Sequence, residues 1–351
     1  MIYDIRLQHF RSYDDDSFEF NPAVTIIVGP NASGKTNLLE AILVVARGGS
    51  YRAKDVDLVQ FEQPWARLDV HTDDGERTVK LTPQDTLKKQ YTINDQVLRR
   101  LSLNRTIPTV LFEPNHLRLL AGSPERRRNY IDELLTQTTP GYATNLRRYK
   151  QALAQRNALL KQQNPNFTQQ MFPWNLKLSQ LAGQLVAARL ELVAVLTTSI
   201  PALYKTLSHT TTEVTLSYES SCSSEQYESS LLRILESTVQ HDRERGFTSH
   251  GPHRDDLAVL FDGRPSGLTA SRGETRTAVL ALKILELQIL EQVRDQKPIL
   301  LLDDVFSELD GARRHALTDY LSRYQTFITT TDADVALASF GESCTVIPLG
   351  S

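Results

Sequence analysis

Apolar and polar residues alternate along the first 28 residues, and beyond the following turn the apolar residues recur at the longer spacing of a helix. We interpret this stretch as two strands, with turn residues at 14–17 and 21–22, and the second strand ends in Val24–Val28. A glycine-rich turn follows, and apolar residues recur at helical spacing over residues 35–46. The pattern therefore predicts a strand, a tight turn and a helix in direct succession.

Further along the chain, two kinds of pattern separate. Short apolar runs predict strands at 66–70, 78–81 and 109–112. Helical spacing with many Lys, Arg and Gln residues predicts long helices at 142–163 and 175–207, followed by a Ser/Thr-rich stretch with a strand at 214–218. Strands and helices alternate again from residue 257, with helices at 275–292 and 312–323 and strands at 299–302 and 326–329.

The order of these patterns predicts an α/β fold assembled from both ends of the chain. Residues 1–115 would form its N-terminal part and residues 246–351 its C-terminal part. Residues 116–245 would be a mainly helical insert, or arm.

Composition narrows the class of protein. With 40% hydrophobic and 23% charged residues, the chain reads as globular, and two distant cysteines exclude a disulfide framework and fit a reducing cytoplasm. We expect no signal peptide and no apolar run near the length of a membrane span. The net charge of −3 gives no hint of nucleic acid, so DNA binding would require a local basic patch.

The turn after the second strand matches a phosphate-binding P-loop in full. Its glycines would let successive amides face phosphates at a helix N-terminus, its lysine would contact the β and γ phosphates of ATP, and its threonine would bind Mg²⁺. The eight residues are Gly29, Pro30, Asn31, Ala32, Ser33, Gly34, Lys35 and Thr36. The alternative is a chance match in a structural loop, which the flanking strand and helix disfavour.

A second motif is an apolar strand that ends in two carboxylates. Residues 298–302 are apolar throughout, which is typical of a strand inside a parallel sheet. Ligands gather at the carboxyl ends of such strands, so Asp303 is the predicted magnesium partner and Asp304 the group that orients or activates water. Strands also end in acids that merely cap the next helix, and the P-loop favours the functional interpretation.

Ser271 stands where a helix begins, about 25 residues before the acidic strand. A serine caps a helix N-terminus well, and that terminus can hold an anion. From the residues alone, an anion site and an ordinary capped helix are equally good interpretations.

The segment 123–150 is basic within an acidic chain, with six Lys or Arg residues against three Asp or Glu. Surfaces that follow a DNA backbone have this character. The alternative is a solvated helix face with internal ion pairs. The predicted DNA contacts are Arg126, Arg127, Arg128, Arg147, Arg148 and Lys150.

Taken together, these motifs resemble the ABC-type ATPase heads of chromosome-maintenance (SMC) proteins, and more closely the RecF family of bacterial recombination mediators. The strings that carry the resemblance occur in order along nearly the whole chain. They are FRSY (10–13), GPNASGKTNLLEAI (29–42), GSPERRRNYID (122–132), QRNALL (155–160), GPHRDDL (251–257), LDDVFSELD (302–310) and ITTTD (328–332).

The resemblance implies a homodimer that closes around ATP. Ser271, Gly273 and Glu274 would form the signature that one subunit places over the nucleotide of the other, and residues 307–310 would match the D-loop. It also implies DNA binding to single-stranded or gapped DNA, RecO and RecR as partners, RecA loading, and a part in replication, recombinational repair and the SOS response.

Two departures from the ABC pattern imply a weak ATPase. Asp304 stands where most ABC proteins have Glu, and Thr330 stands where many have a switch histidine. Slow hydrolysis suits a timer or clamp rather than a motor.

Two alternatives remain open at this stage. An ATPase subunit of a membrane transporter would need a transmembrane partner and no affinity for DNA. A long-armed chromosome-maintenance protein would need a longer coiled coil than residues 116–245 allow.

Overall fold

The structure is a computed structural model that describes residues 1–84, 87–162, 167–332 and 344–350, together with Asp334, Leu337 and Phe340. The described chain forms two compact units. The first unit comprises residues 1–116 and 286–351, and the second comprises residues 117–285.

The described strands are β1 (Ile2–Phe10), β2 (Tyr13–Glu19), β3 (Val24–Val28), β4 (Ala66–Thr72), β5 (Gly75–Thr82), β6 (Lys88–Ile93), β7 (Gln96–Leu98), β8 (Thr109–Phe112), β9 (Val214–Glu219), β10 (Asp256–Phe261), β11 (Arg264–Pro265), β12 (Ile299–Asp303), β13 (Thr326–Thr330) and β14 (Cys344–Pro348). The described helices are α1 (Lys35–Arg47), α2 (Pro124–Thr138), α3 (Tyr142–Leu160), α4 (Phe167–Ser208), α5 (Tyr227–Ser237), α6 (Val239–Arg245), α7 (Ser266–Thr269), α8 (Arg272–Arg294), α9 (Val305–Glu308) and α10 (Gly311–Leu321).

The first unit contains two sheets with α1 between them. One is a six-stranded antiparallel sheet in the order β2-β1-β4-β5-β6-β7, and the other a five-stranded parallel sheet in the order β14-β3-β13-β12-β8. Helix α1 contacts strands of both sheets and buries nearly its whole length. The central strands β12 and β13 are buried on both faces. Because the strands of this sheet run in the same direction, their carboxyl ends meet at one edge.

The second unit packs helices around a three-stranded antiparallel sheet in the order β11-β10-β9. Helix α4 contacts α3, α5 and β9. Helix α8 begins in this unit and continues into the first unit from Glu286. The mixed α/β fold and the long helical arm expected from the sequence are confirmed.

The boundary between the units lies later in the chain than the sequence suggested. We expected the insert to end at residue 245, whereas the second unit extends to Leu285. The physical reason is strand pairing: β10 pairs with β9 from Asp256↔Glu219 to Phe261↔Val214, so its residues join the sheet of the insert.

One local expectation was wrong. Residues 1–28 form three strands rather than two, because the acidic run at 14–17 continues as β2 instead of turning. β2 is an edge strand, where exposed charges are tolerated, and Asp15 pairs with Arg6 of β1. Helix α2 was not separately anticipated, and Gln163, the predicted end of the helix at 142–163, lies outside the described residues.

The expectation of no apolar run of membrane-spanning length was also wrong. Within the described part of the chain, residues 169–208 of α4 are long and apolar enough to cross a membrane, with a mean hydropathy of 1.5 in the most apolar window. Length and composition do not distinguish such a helix from the core helix of a water-soluble domain. In this structure α4 packs within the second unit and carries Arg189, which is buried and ion-paired.

Candidate functional site

The turn between β3 and α1 is a backbone cradle that requires glycine at two positions. Gly34 has a φ of +101°. A side chain at Gly29 would place its Cβ 2.5 Å from Ser33 Oγ and 2.6 Å from the Leu349 carbonyl oxygen. The turn can therefore approach a ligand closely with its backbone.

Lys35 and Ser33 give this cradle the chemistry of an anion site. Lys35 is buried, and its Nζ donates to the carbonyl oxygens of Gly29 (2.7 Å) and Pro30 (2.9 Å) within the same turn. Ser33 Oγ is buried without a hydrogen-bond partner among the described residues. An unpaired buried hydroxyl beside a cation at a helix N-terminus fits a phosphate group.

The acidic end of β12 lies against this turn, as the sequence predicted. Thr36 Oγ1 donates to Asp303 Oδ1 at 3.0 Å, and Thr329 Oγ1 donates to the same oxygen at 2.9 Å. The other oxygen, Oδ2, accepts from the hydroxyl of Tyr51 at 2.8 Å. Tyr51 and Thr329 were not anticipated, since long-range contacts of this kind leave no local pattern.

Asp304 has the properties of a proton acceptor. It has a φ of +51°, its backbone amide donates to Thr329 Oγ1 (2.9 Å), and its half-buried carboxylate has no partner in the described chain. Burial raises the pKa of Asp304; the charge of Lys35 partly opposes this rise and that of Asp303 adds to it. A free carboxylate with a raised pKa suits general base chemistry.

A buried carboxylate, Glu40, organises the loop beside the P-loop helix. It accepts from Arg11 (2.8 and 3.0 Å), Arg52 (3.1 Å) and Ser50. Burial alone would raise the pKa of Glu40, but these donors hold the pKa below its ordinary value. An adjoining polar cleft of about 650 Å³ is lined by Arg11, Asn37, Arg52, Ala53, Lys54 and Asp57. Arg11 lies in the FRSY string and Glu40 in the GPNASGKTNLLEAI string, but neither string predicted that the two side chains meet.

The predicted signature residues lie in the second unit, at the N-terminus of α8. The Ser271 amide donates to Glu274 Oε2 (2.8 Å) and the Glu274 amide donates to Ser271 Oγ (3.2 Å), which together form a capping box. The expected N-cap at Ser271 is confirmed, and Gly273 follows in the first turn. In the first unit, Asp310 of the predicted D-loop caps α10 by accepting from the Arg313 amide at 3.0 Å.

The arginine run on α2 is largely used in internal contacts. Arg127 makes a two-bond ion pair with Asp256 (2.8 and 2.7 Å) and donates to the Gly122 carbonyl oxygen, and Arg128 donates to the Asp255 carbonyl oxygen at 2.7 Å. These partners all lie outside α2. The guanidinium groups of Arg127 and Arg128 therefore make their hydrogen bonds within the second unit.

The basic residues of α3 are arranged differently. Arg147, Arg148 and Lys150 are exposed, and none has an ion pair within the described residues. Helix α3 contains no Asp or Glu. These three cations, which we call the α3 cations, are available to an external anion.

The GPHRDDL string forms part of a buried hydrogen-bond network. Asp255 accepts from Tyr218 (2.8 Å), Tyr227 (2.9 Å) and Ser220 (2.8 Å). His253 Nδ1 lies 2.6 Å from the Tyr149 hydroxyl. Within the described residues, no group of three or more His, Cys, Asp or Glu side chains could hold a metal ion.

The fold and the site define a P-loop ATPase head of the ABC type. The family described as RecF/RecN/SMC N terminal domain matches residues 1–344. A "DNA replication and repair protein RecF" of Heliobacterium modesticaldum is 37% identical over 342 residues, covering 94% of this chain and 92% of that protein. The chain belongs to the RecF family of DNA replication and repair proteins.

Solved structures agree with this membership. A structure of the recombination mediator protein RecF-ATP in the RecFOR pathway has a TM-score of 0.82 and 29% identity, covering 94% of this chain and 92% of the other. A RecF-ATPrS structure has a TM-score of 0.87 and 28% identity, covering 99% and 97%. Of the functions weighed from the sequence, the RecF type is thus favoured over a transporter subunit.

Proposed function

We propose that this protein is an ATP-dependent DNA-binding protein that acts in replication, recombinational repair and the SOS response. The observation that carries the proposal is the convergence of Lys35, the unpaired Ser33 hydroxyl and the Thr36–Asp303 hydrogen bond at one P-loop. The RecF-ATP relative supports ATP as the ligand. Gly29 to Thr36 would hold the phosphates through backbone amides and Lys35.

The residues beside the P-loop also fit Mg²⁺. Hydroxyl and carboxylate oxygens are the ligands that Mg²⁺ prefers, and at nucleotides it needs only one or two carboxylates besides phosphates and water. Thr36 and Asp303 supply that set. Mg²⁺ would neutralise charge on the phosphates, while Asp304 orients or activates water. Because Asp304 is shorter than Glu, and Thr330 is a poor proton donor or acceptor, we expect slow ATP hydrolysis.

We propose that ATP closes a homodimer, with Ser271, Gly273 and Glu274 of one copy over the nucleotide of the other. Lys35→Ala and Ser271→Ala proteins should each be inactive alone. A mixed dimer places both lesions in one site and leaves the other intact, so an equal mixture should recover up to about a quarter of wild-type ATPase activity. No recovery, with mixed dimers shown by crosslinking, would contradict this arrangement.

We propose RecO and RecR as partners, which the RecFOR pathway named for a RecF relative supports. We also propose RecA loading on single-stranded or gapped DNA, and a cytoplasmic location without a membrane partner. We assign the DNA contacts to the basic residues of 123–150. Arg147, Arg148 and Lys150 are the stronger candidates within this set, because Arg127 and Arg128 have internal partners.

The experiment is calorimetric titration of ATP with Mg²⁺, followed by DNA binding. Wild-type protein should bind ATP, Lys35→Ala should lose affinity more than about 100-fold, and Asp303→Asn should weaken the magnesium dependence more than the nucleotide affinity.

Fluorescence anisotropy on gapped and single-stranded DNA should show salt-dependent binding that ATP strengthens. Unchanged ATP affinity in Lys35→Ala would reject the nucleotide site, and no DNA binding at low salt would reject the DNA function.

A further inference from the structure

Resting on the proposed nucleotide site, we infer that Tyr51 is a positioning residue for the magnesium-binding carboxylate of Asp303. Its hydroxyl fixes the orientation of this carboxylate and so sets the affinity of the site for a divalent cation. Neither the P-loop nor the acidic strand contains Tyr51, which lies in the loop after α1.

The hydrogen bonds of Asp303 are divided unequally between its two oxygens. Oδ1 accepts from both Thr36 and Thr329, whereas Oδ2 accepts from Tyr51 alone among the described residues. The side chain is buried, so water does not readily replace a missing donor. Without the Tyr51 hydroxyl, nothing described in the structure restrains Oδ2, and the plane of the carboxylate can rotate.

The loop that carries Tyr51 is anchored on both sides of it. Gly48 ends α1 with a φ of +85°, which turns the chain back along the helix. Ser50 and Arg52 both bind the buried carboxylate of Glu40, and Arg52 also donates to Asn37 Oδ1 at 2.6 Å. Tyr51 is thus held between two fixed residues, and its ring packs against the core of the first unit.

This arrangement is what a carboxylate needs in order to bind a metal selectively. Groups that hydrogen-bond a metal ligand fix its orientation, and their loss typically lowers metal affinity 10–100-fold. Tyr51 touches Asp303 and not the phosphate cradle in any described contact. We therefore expect Tyr51→Phe to weaken divalent cation binding while leaving metal-free nucleotide binding nearly unchanged.

Tyr324→Phe is the matched control. Tyr324 also lies in the first unit and also donates its hydroxyl to a carboxylate, Glu291 Oε2, at 2.7 Å. The two variants remove the same atom from the same kind of hydrogen bond. They differ in which carboxylate loses its donor.

The experiment titrates Mn²⁺, read by electron paramagnetic resonance, into each full-length protein with ATP, and separately measures ATP affinity in EDTA. Tyr51→Phe should bind Mn²⁺ about tenfold more weakly than wild type, with ATP affinity in EDTA changed less than about twofold. Tyr324→Phe should match wild type in both measurements.

The outcomes separate this inference from the proposed function. Equal Mn²⁺ affinity in wild type and Tyr51→Phe would overturn the role of Tyr51 while leaving the nucleotide site intact. An equal loss in both variants would overturn it as well, because the effect would then not be specific to Asp303. A wild-type protein that binds neither ATP nor Mn²⁺ would overturn the nucleotide site and the inference together.

Discussion

The P-loop site of the first unit and the buried hydrogen-bond network of the second unit use charged residues in opposite ways. In the first unit, Ser33 Oγ and the Asp304 carboxylate lack partners in the described chain, and Lys35 holds only the carbonyl oxygens of its own turn. In the second unit, Arg156 and Arg189 are buried, and each is paired with a carboxylate and further acceptors.

This difference shows which charged motifs make a site. The LDDVFSELD and GPHRDDL strings each contain two adjacent carboxylates. In the structure Asp304 remains open, whereas Asp255 accepts three hydroxyl hydrogen bonds. Buried polar groups that lack hydrogen-bond partners within the protein indicate a ligand site. Buried polar groups whose hydrogen bonds are made within the protein stabilise the fold, and we call the network of such groups in the second unit the scaffold.

The sharpest test of this contrast is Arg156→Ala. Arg156 is fully buried, and its guanidinium donates to Asp242 (2.8 Å), Asn175 (2.8 Å) and Thr248 (2.7 Å). Removing it leaves the Asp242 carboxylate buried without its cation, so the free energy of unfolding should fall by about 3–5 kcal/mol.

Urea denaturation can follow this loss in the second unit alone, because the two tryptophans lie in different units, Trp65 in the first and Trp174 in the second. In a Trp65→Phe background, fluorescence reports Trp174.

Lys35→Ala is the control variant. It should weaken ATP binding but change the free energy of unfolding by less than about 1 kcal/mol. If Arg156→Ala left the protein stable but weakened ATP binding, Arg156 would serve the ligand site rather than the fold, contrary to this comparison.

The second prediction concerns His253, which is half-buried in the hydrogen-bond network of the second unit. Burial lowers its pKa from 6.5 to about 4, although its hydrogen bond to the Thr248 carbonyl oxygen opposes the shift. The unfolded chain therefore binds more protons between these values. The free energy of unfolding should fall as the pH drops from 7 to 4, and this residue should account for about 3 kcal/mol of the loss.

His253→Gln isolates that contribution, since glutamine keeps a donor and an acceptor but does not titrate. Wild type and variant should have similar stability near pH 7, and the variant should lose about 3 kcal/mol less on acidification to pH 4. Parallel pH profiles would show that His253 does not titrate between the two states.

The contact between the P-loop and the acidic end of β12 could be predicted from the sequence because its parts are local or fixed by sheet geometry. Gly29 to Thr36 form one turn, and the carboxyl end of β12 meets that turn in any parallel sheet containing β3. Tyr51 escaped prediction because a loop tyrosine carries no periodic pattern, and its partner Asp303 is 252 residues away in sequence.

The scaffold was harder to predict for a related reason. Arg127 pairs with Asp256, which is 129 residues away in the sequence. Because such a distant partner leaves no local pattern, the sequence alone does not distinguish the basic run on α2 from a DNA-binding surface. The pairing of β9 with β10 likewise joins residues on either side of two helices, α5 and α6. A charge pattern gives the number of cations, but only the fold shows which of them are free.

Arg127→Ala should have a smaller effect on stability than Arg156→Ala. It removes a mostly buried ion pair with Asp256 and a bond to the Gly122 carbonyl oxygen, which should lower the free energy of unfolding by about 1–3 kcal/mol. DNA affinity at fixed salt should change little once folded protein is compared. A neutral effect on stability with weaker DNA binding would restore the α2 run as a DNA surface.

The smallest effect on stability should come from replacing the α3 cations, Arg147, Arg148 and Lys150, with alanine. They are exposed and unpaired in the described chain, and alanine favours helix, so the free energy of unfolding should stay within about 0.5 kcal/mol per residue. DNA binding should respond instead: the slope of log affinity against log salt should fall by about one unit for each phosphate that the variant no longer neutralises, with ATP affinity unchanged. If the slope is unchanged, the α3 cations do not bind DNA. Unpaired charge on this surface would then indicate a different kind of partner from the one that the unpaired groups at the P-loop indicate.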